Sequence, residues 1–109
     1  MNTNTFNKSA IYALKEAVDY ATGAVVSKIV AKNNAGNITL FSFDEGQNLS
    51  EHTAPFDAIV QVVEGKAKIS INQKGYILSE GDIIIMPANI PHAVEALARF
   101  KMLLTMLKA

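Results

Sequence analysis

Short apolar runs separated by turn-forming residues fill the chain after Gly23. Runs such as residues 25–31 (VVSKIVA) and 38–43 (ITLFSF) are rich in β-branched and aromatic residues, and glycine, proline and asparagine stand between them. Runs of this length with this punctuation predict β-strands. Many short strands at even spacing favour two antiparallel sheets closed into a sandwich or a barrel. The chain therefore predicts an all-β domain.

The individual strands can be placed from the same pattern. Turns are expected at residues 33–37 and 72–75, where asparagine and glycine tolerate left-handed backbone. The predicted strands are residues 25–31, 38–43, 58–63, 67–71, 76–78, 83–86, 92–97 and 100–107.

Residues 6–22 predict a helix instead. Asn7 is the expected N-cap, and Gly23 follows where a C-cap glycine is common. The apolar residues recur at the helical period and are Ala10, Ile11, Leu14, Ala17, Val18 and Ala21. Because 109 residues suit one hydrophobic core, we expect a single domain, with a helical segment at 1–23 and a β-barrel at 24–109.

The amino-acid composition argues against several classes of function. The chain has no cysteine, which excludes disulfides and thiolate metal sites. Ten lysines and arginines balance ten acidic residues without a basic stripe, so nucleic-acid binding is not expected. No run reaches the ~18 apolar residues of a membrane span, and the first 20 residues hold no signal-peptide core. We therefore expect a cytoplasmic protein without a membrane partner.

Two predicted strands carry apolar residues on both faces, where a strand with one solvated face would alternate. Residues 59–63 read IVQVV, and residues 100–107 read FKMLLTML. Either the N-terminal segment covers the outer face of these strands, or a second copy of the chain does. A chain of this length has little material for a second layer, so a homodimer is favoured.

Both histidines of the chain lie in frames bounded by glycine and proline. The first frame runs from Gly46 through His52 to Gly65, and the second from Gly81 through Pro87 to Pro91-His92. This spacing resembles the two conserved motifs of the cupin superfamily. The resemblance implies a cupin-type, jelly-roll-like antiparallel barrel over nearly the whole chain after Gly23. Asn89 stands where that family usually has glycine, and asparagine tolerates the positive φ that the turn requires.

The same resemblance implies a metal site with half of its ligands missing. In cupins the first motif carries His-x-His and a later Glu, the second motif carries one His, and the four hold a divalent metal. His52 and His92 match two of these positions, while Ala54 and Ala58 stand at the other two. The implied ion, if one binds, is Zn, Ni, Fe, Mn or Cu, with His52 and His92 as its ligands.

Other side chains offer little to complete that ligand set. The polar candidates Asp57, Gln61 and Glu95 have the wrong strand parity to face the cavity. The thioethers of Met86, Met102 and Met106 are soft ligands that suit copper(I), but methionine usually fills a core.

An apolar pocket with two imidazoles is the remaining feature of the predicted interior. By strand parity the side chains sharing a face with His52 are Ala54, Phe56, Ala58 and Val60. Such a profile is typical of a small-molecule site, which is the favoured function. Two alternatives stay open: a metal-dependent cupin enzyme of the dioxygenase or isomerase type with a reduced His52/His92 ligand set, and a dimeric accessory or interaction protein.

Overall fold

The computed structural model describes residues 6–108 as two antiparallel β-sheets packed against each other. Its nine strands within that range are β1 (Val25–Asn33), β2 (Gly36–Phe43), β3 (Asn48–His52), β4 (Asp57–Glu64), β5 (Lys66–Ile71), β6 (Lys74–Ser79), β7 (Ile83–Met86), β8 (His92–Ala96) and β9 (Phe100–Leu107). The first sheet has the order β1-β2-β9-β4-β7, and the second has the order β3-β8-β5-β6. The expected all-β, double-sheet architecture is confirmed.

The core lies between the two sheets and is built from inward side chains of both. Phe43 and Phe100 are fully buried and stack with ring centroids 4.5 Å apart. They belong to one cluster of buried residues that also holds Val60 and Val62 of the first sheet and Ile69 of the second. Alternation along each strand places these residues on one face, which is why the apolar pattern of the sequence locates the core.

Two turns adopt the left-handed backbone that the sequence predicted. Asn89 has φ 65°, so asparagine fills the position where cupins usually carry glycine. Asn72 and Gln73, with φ 51° and 69°, form a two-residue hairpin loop between β5 and β6, as the right-handed twist of paired strands favours.

Gly65 has φ 85°, and a side chain there would collide with the carbonyl of Arg99.

The predicted helix at residues 6–22 is wrong, because most of this segment is not helical. The helical element within the described chain is one 3-10 turn at Leu14–Glu16. A helix needs its own carbonyls as acceptors, but here they bond to side chains of the first sheet. Lys101 donates to the carbonyl of Lys15, Lys28 donates to that of Ala17 at 2.9 Å, and Ser42 donates to that of Asp19 at 2.7 Å. These long-range bonds override the helical pattern.

Residues 14–20, which we name the strap, therefore lie across the outer face of the first sheet. Val18 is fully buried there, together with Leu40 and Ser42 of β2. The Tyr20 hydroxyl donates to Glu64 at 2.6 Å, which fixes the end of the strap to β4. No helix in the described residues is long and apolar enough to cross a membrane.

Candidate functional site

His52 and His92 come together at one end of the second sheet. His52 ends β3, His92 begins β8, and the two are register partners. Their Nε2 atoms lie 3.2 Å apart, with the rings edge to face at 4.4 Å between centroids. His92 is only 4% exposed, whereas His52 faces solvent. The pair thus has one buried member and one member that an incoming molecule can reach.

Backbone carbonyls orient both rings in the same way. The Nδ1 of His52 donates to the carbonyl of Ser50 at 2.8 Å, and the Nδ1 of His92 donates to that of Ile90 at 3.3 Å. Because a carbonyl oxygen only accepts, these bonds place the single proton of each neutral imidazole on Nδ1. Both Nε2 atoms then carry a lone pair. Two lone pairs do not bond to each other, so the pair is open to a proton, a cation or a hydrogen-bond donor.

Burial keeps the inner ring neutral. The pKa of His92 lies below its ordinary value, first because burial penalises the charged imidazolium and second because a charge on His52 opposes another one nearby. The hydrogen bond to Ile90 acts in the opposite direction. Near neutral pH the buried Nε2 of His92 is therefore an acceptor.

This lowered pKa predicts a pH-dependent stability. Above about pH 6.5, the ordinary histidine pKa, His92 is neutral in the folded and unfolded chain alike. As the pH falls below that value the unfolded chain takes up the proton first, so the free energy of unfolding decreases until the folded-state pKa is passed. Urea unfolding between neutral pH and pH 5, with chelator present, should show this decrease. The slope should be smaller in His92→Asn, and an unchanged slope would contradict the prediction.

Ala54 and Phe56 lie in the segment that crosses from one sheet to the other after His52. The chain leaves β3 at His52, so these two residues are placed by the crossover and not by the strand alternation that the sequence suggested. The carbonyl of Ala54 accepts from the amide of Asn89 at 2.7 Å, which ties the crossover to the turn before His92. Both side chains are half-buried, and the Lys108 ammonium lies 5.8 Å from the Phe56 ring centroid.

Ala58 and Val60 lie deeper and belong to the packed core. Ala58 is 2% exposed, and Val60 is fully buried. The register partners of Ala58 are Met86 on β7 and Met106 on β9, so two thioether side chains flank the position where cupins carry a glutamate. The structure therefore brings His52 and His92 together. It places Ala54 and Phe56 in the crossover that follows His52, and Ala58 and Val60 in the core.

The polar residues considered as further ligands serve other purposes. The Asp57 carboxylate accepts from the amide of Ala88 at 2.9 Å and is committed to the loop before β8. Gln61 and Glu95 are exposed on strands whose neighbouring residues are buried, so they face away from the interior. The strand alternation in the sequence had predicted that these side chains face away from the cavity, and the structure agrees.

His52 and His92 could fill two coordination positions of a divalent metal ion, but the described residues do not complete a metal site. A separation of 3.2 Å between the Nε2 atoms suits two ligands of one ion, since tetrahedral zinc–nitrogen bonds of about 2.0–2.1 Å end roughly 3.3 Å apart. Carbonyl acceptors on Nδ1 are also what metal-binding histidines use. However, the described residues contain no group of three or more His, Cys, Asp or Glu that could hold an ion. Protein zinc sites use three or four protein ligands.

Comparison with known proteins settles the family. The model of the family described as Cupin domain matches residues 39–106, which is more than half of the chain. The chain belongs to the cupin family. Both histidine frames and the turn at Asn89 fall inside the matched region.

Solved cupin-like structures agree with this assignment. A conserved protein of unknown function from Streptococcus pyogenes is 36% identical, with a TM-score of 0.91 over 95% of this chain and 91% of that one. A cupin 2 conserved barrel domain protein from Leptotrichia buccalis is 41% identical, with a TM-score of 0.86 over 89% of this chain but only 47% of that one. A cupin superfamily protein from Desulfitobacterium hafniense is 26% identical, with a TM-score of 0.87 over 97% and 96%. A comparison with curated proteins finds no match.

Two parts of the site were not predicted from the sequence. The carbonyls of Ser50 and Ile90 both lie two residues before the histidine that they orient. Every residue has a carbonyl, so no sequence signal marks these two. The position of Met86 and Met106 beside Ala58 depends on strand order, which the apolar pattern of a single strand does not reveal.

Proposed function

We propose that this cupin binds a small, largely apolar molecule that carries a hydrogen-bond donor, with the Nε2 atoms of His52 and His92 as its acceptors. The convergence of the two Nε2 atoms at 3.2 Å is the observation that carries the proposal. Both rings are held in this orientation by backbone bonds, so the acceptors are preorganised and a ligand need not order them. A donor that lies beside the two Nε2 atoms offers its proton to them and offsets the repulsion between their lone pairs.

The surroundings of the pair favour an apolar ligand body. Ala54 and Phe56 are half-buried in the crossover that follows His52, and Ala58 is buried in the core. Alanine stands at positions 54 and 58 in place of the two polar ligand side chains that the cupin motif would supply, so both positions are apolar. A mostly apolar site with a few convergent polar groups is the usual profile of a small-molecule site. Phenols and alcohols have the matching chemistry.

A matched pair of probes tests the proposed function. Phenol has the donor hydroxyl, and anisole keeps the ring but has no donor. We expect phenol to shift the imidazole Nε2 signals in nitrogen-15 NMR and to bind about tenfold more tightly than anisole, because a hydrogen bond contributes about 1.4 kcal/mol. His52→Leu should abolish the difference between the two probes.

Gln61→Leu provides the control, because Gln61 is exposed on the opposite face of its strand from Val60. This variant should keep the preference for phenol. Equal binding of phenol and anisole by the wild-type protein, or an unchanged preference in His52→Leu, would contradict the proposal.

A metal-dependent cupin enzyme is the second candidate, and the separation of the two Nε2 atoms is the observation that favours it. The chain's own residues supply only two ligands, so solvent or the substrate would have to supply the others. Elemental analysis of untagged wild-type protein and of His52→Ala separates the candidates. Stoichiometric metal that is lost in His52→Ala supports the enzyme, whereas protein that takes up no zinc, nickel, iron or copper at micromolar concentration supports the metal-free site.

A further inference from the structure

Asn37 carries a buried acceptor that no group in residues 6–108 satisfies. Its side-chain Oδ1 is shielded from solvent and accepts no hydrogen bond within this part of the chain. Lys32, the register partner of Asn37 on β1, is exposed, and its ammonium does not donate to Asn37. Because an unpaired buried oxygen lowers the stability of a fold, the fold alone gives no reason for an asparagine at this position.

Strand register places Asn37 on the inner face of the first sheet. The sequence predicted a turn at residues 33–37, but Asn37 belongs to β2. Asn37 is the register partner of Met106, and Met106 is that of Ala58, which is buried in the core. Residues directly opposite each other in antiparallel strands share one side of the sheet. The amide of Asn37 therefore lies on the side that faces the second sheet.

The turn that joins β8 to β9 fixes the level of Asn37 relative to the histidines. This turn is residues 97–99, and the two strands that it joins face each other across the barrel. Counted from the turn, His92 is the third inward residue of β8 and Met106 is the fourth of β9. Met106 and its partner Asn37 therefore lie one inward position beyond His92, which is about 7 Å along a strand.

The turn that joins β2 to β3 places Asn37 across the barrel from His52. This turn is residues 44–47, and β3 ends at His52. Packed sheets stand about 10 Å apart, so roughly 12 Å separates the backbone at Asn37 from that at His52. The two side chains reach into this gap from opposite sheets, so one molecule the size of an aromatic ring can contact both.

We propose that the Oδ1 of Asn37 is a second recognition point inside the barrel, and that the ligand is an apolar molecule with two hydrogen-bond donors, one for the histidine pair and one for Asn37. This inference rests on the proposed function, because it takes the histidine pair as the first recognition point. A ligand without the second donor leaves Oδ1 unpaired, and a site with a buried acceptor discriminates strongly against such a molecule. Phenols with a hydroxyl or amino group at the opposite end have the matching chemistry.

A matched pair of phenols tests the second donor. 4-Hydroxybenzyl alcohol and its methyl ether, 4-(methoxymethyl)phenol, both keep the phenol hydroxyl for the histidine pair, and only the alcohol has a second donor. In isothermal titration we expect the wild-type protein to bind the alcohol about tenfold more tightly than the ether. Asn37→Leu keeps the size of the side chain without the acceptor, and Asn37→Ala removes the acceptor without adding a methyl group. Both variants should bind the alcohol and the ether equally.

Asn48→Leu is the control for these variants. Asn48 is exposed on β3 opposite Glu95, on the outside of the second sheet. This variant should keep the tenfold preference for the alcohol. A preference that survives in Asn37→Leu and Asn37→Ala, or that is lost in Asn48→Leu, would overturn the role of Asn37.

Phenol and anisole separate this inference from the proposed function. Asn37→Leu should still prefer phenol to anisole, because its histidine pair is intact. If the wild-type protein prefers phenol to anisole but binds the alcohol and the ether equally, the role of Asn37 alone is overturned. If the wild-type protein shows no preference for phenol, the proposed function fails and this inference fails with it.

Thermal unfolding of the ligand-free protein gives a readout that needs no ligand. Asn37→Leu removes a buried oxygen without a partner, so its melting temperature should be about 5 °C or more above that of the wild type. Asn48→Leu changes an exposed residue and should shift the melting temperature by less than about 3 °C. An unchanged or lower melting temperature in Asn37→Leu would mean that Oδ1 is already satisfied in the free protein, which contradicts the inference.

Discussion

Replacing Ala54 with histidine is expected to turn the histidine pair into a metal site that binds nickel or zinc at least about tenfold more tightly than the wild-type chain, which corresponds to 1.4 kcal/mol or more. Ala54 follows His52 by two residues, and its carbonyl is bonded to the turn that leads to His92. It is half-buried, so an imidazole there has room and need not displace core atoms. A third imidazole would complete the minimum of three protein ligands that catalytic zinc sites use.

Isothermal titration of nickel into the variant measures this gain. Gln61→His adds the same imidazole on the outside of the first sheet and should leave metal affinity near that of the wild type. Adding His52→Ala to Ala54→His should remove the gain, because two ligands remain. If Ala54→His binds nickel no better than Gln61→His, then position 54 does not point toward the pair and our placement of the site is wrong.

Ala58 shows why the other missing ligand is harder to restore. It is nearly fully buried, with Met86 and Met106 as its register partners. A glutamate at this position would place a carboxylate in the core, and without a metal such a charge costs several kcal/mol.

The strands could be predicted from the sequence because their signal is local. Alternating apolar residues and turn-forming glycine, proline and asparagine are read within a few residues, and Asn89 in its left-handed turn is one example. The prediction of a helix at residues 6–22 was wrong because the hydrogen bonds that compete with the helix come from residues distant in sequence. The side chains that capture the strap carbonyls, such as Lys101, come from strands distant in sequence, and helical periodicity carries no information about them.

The sequence predicted the position of the two histidines in the candidate site but not the hydrogen bonds that orient them. The frames around His52 and His92 indicated that the two rings would meet, and they are register partners. The tautomer that the rings adopt depends on the carbonyls of Ser50 and Ile90. These atoms are common to every sequence, so only the folded geometry reveals that both Nε2 atoms are acceptors.

Replacing Phe100 with alanine is expected to lower the free energy of unfolding by about 3–5 kcal/mol, the usual loss when a buried phenylalanine is truncated. Phe100 is fully buried and stacks on Phe43 at 4.5 Å, so the cavity is lined on one side by another rigid ring that cannot collapse into it. The neighbouring turn is also constrained, because Gly65 packs directly against Phe100 and Arg99. For a domain of this size the melting temperature should fall by roughly 12–20 °C.

Phe56→Ala is the matched control, since it removes the same ring from a half-buried position in the crossover that follows His52. Its loss of stability should be less than half of that in Phe100→Ala, because solvent already reaches part of the ring. Urea unfolding of both variants at one protein concentration measures the difference and keeps any association of the chain constant. Equal losses would mean that the core extends to the histidine pair without a boundary, and that Phe56 is a structural residue and not a wall of a ligand site. A larger loss for Phe100→Ala, together with weaker phenol binding by Phe56→Ala, would separate the residues that hold the barrel together from those that line the site.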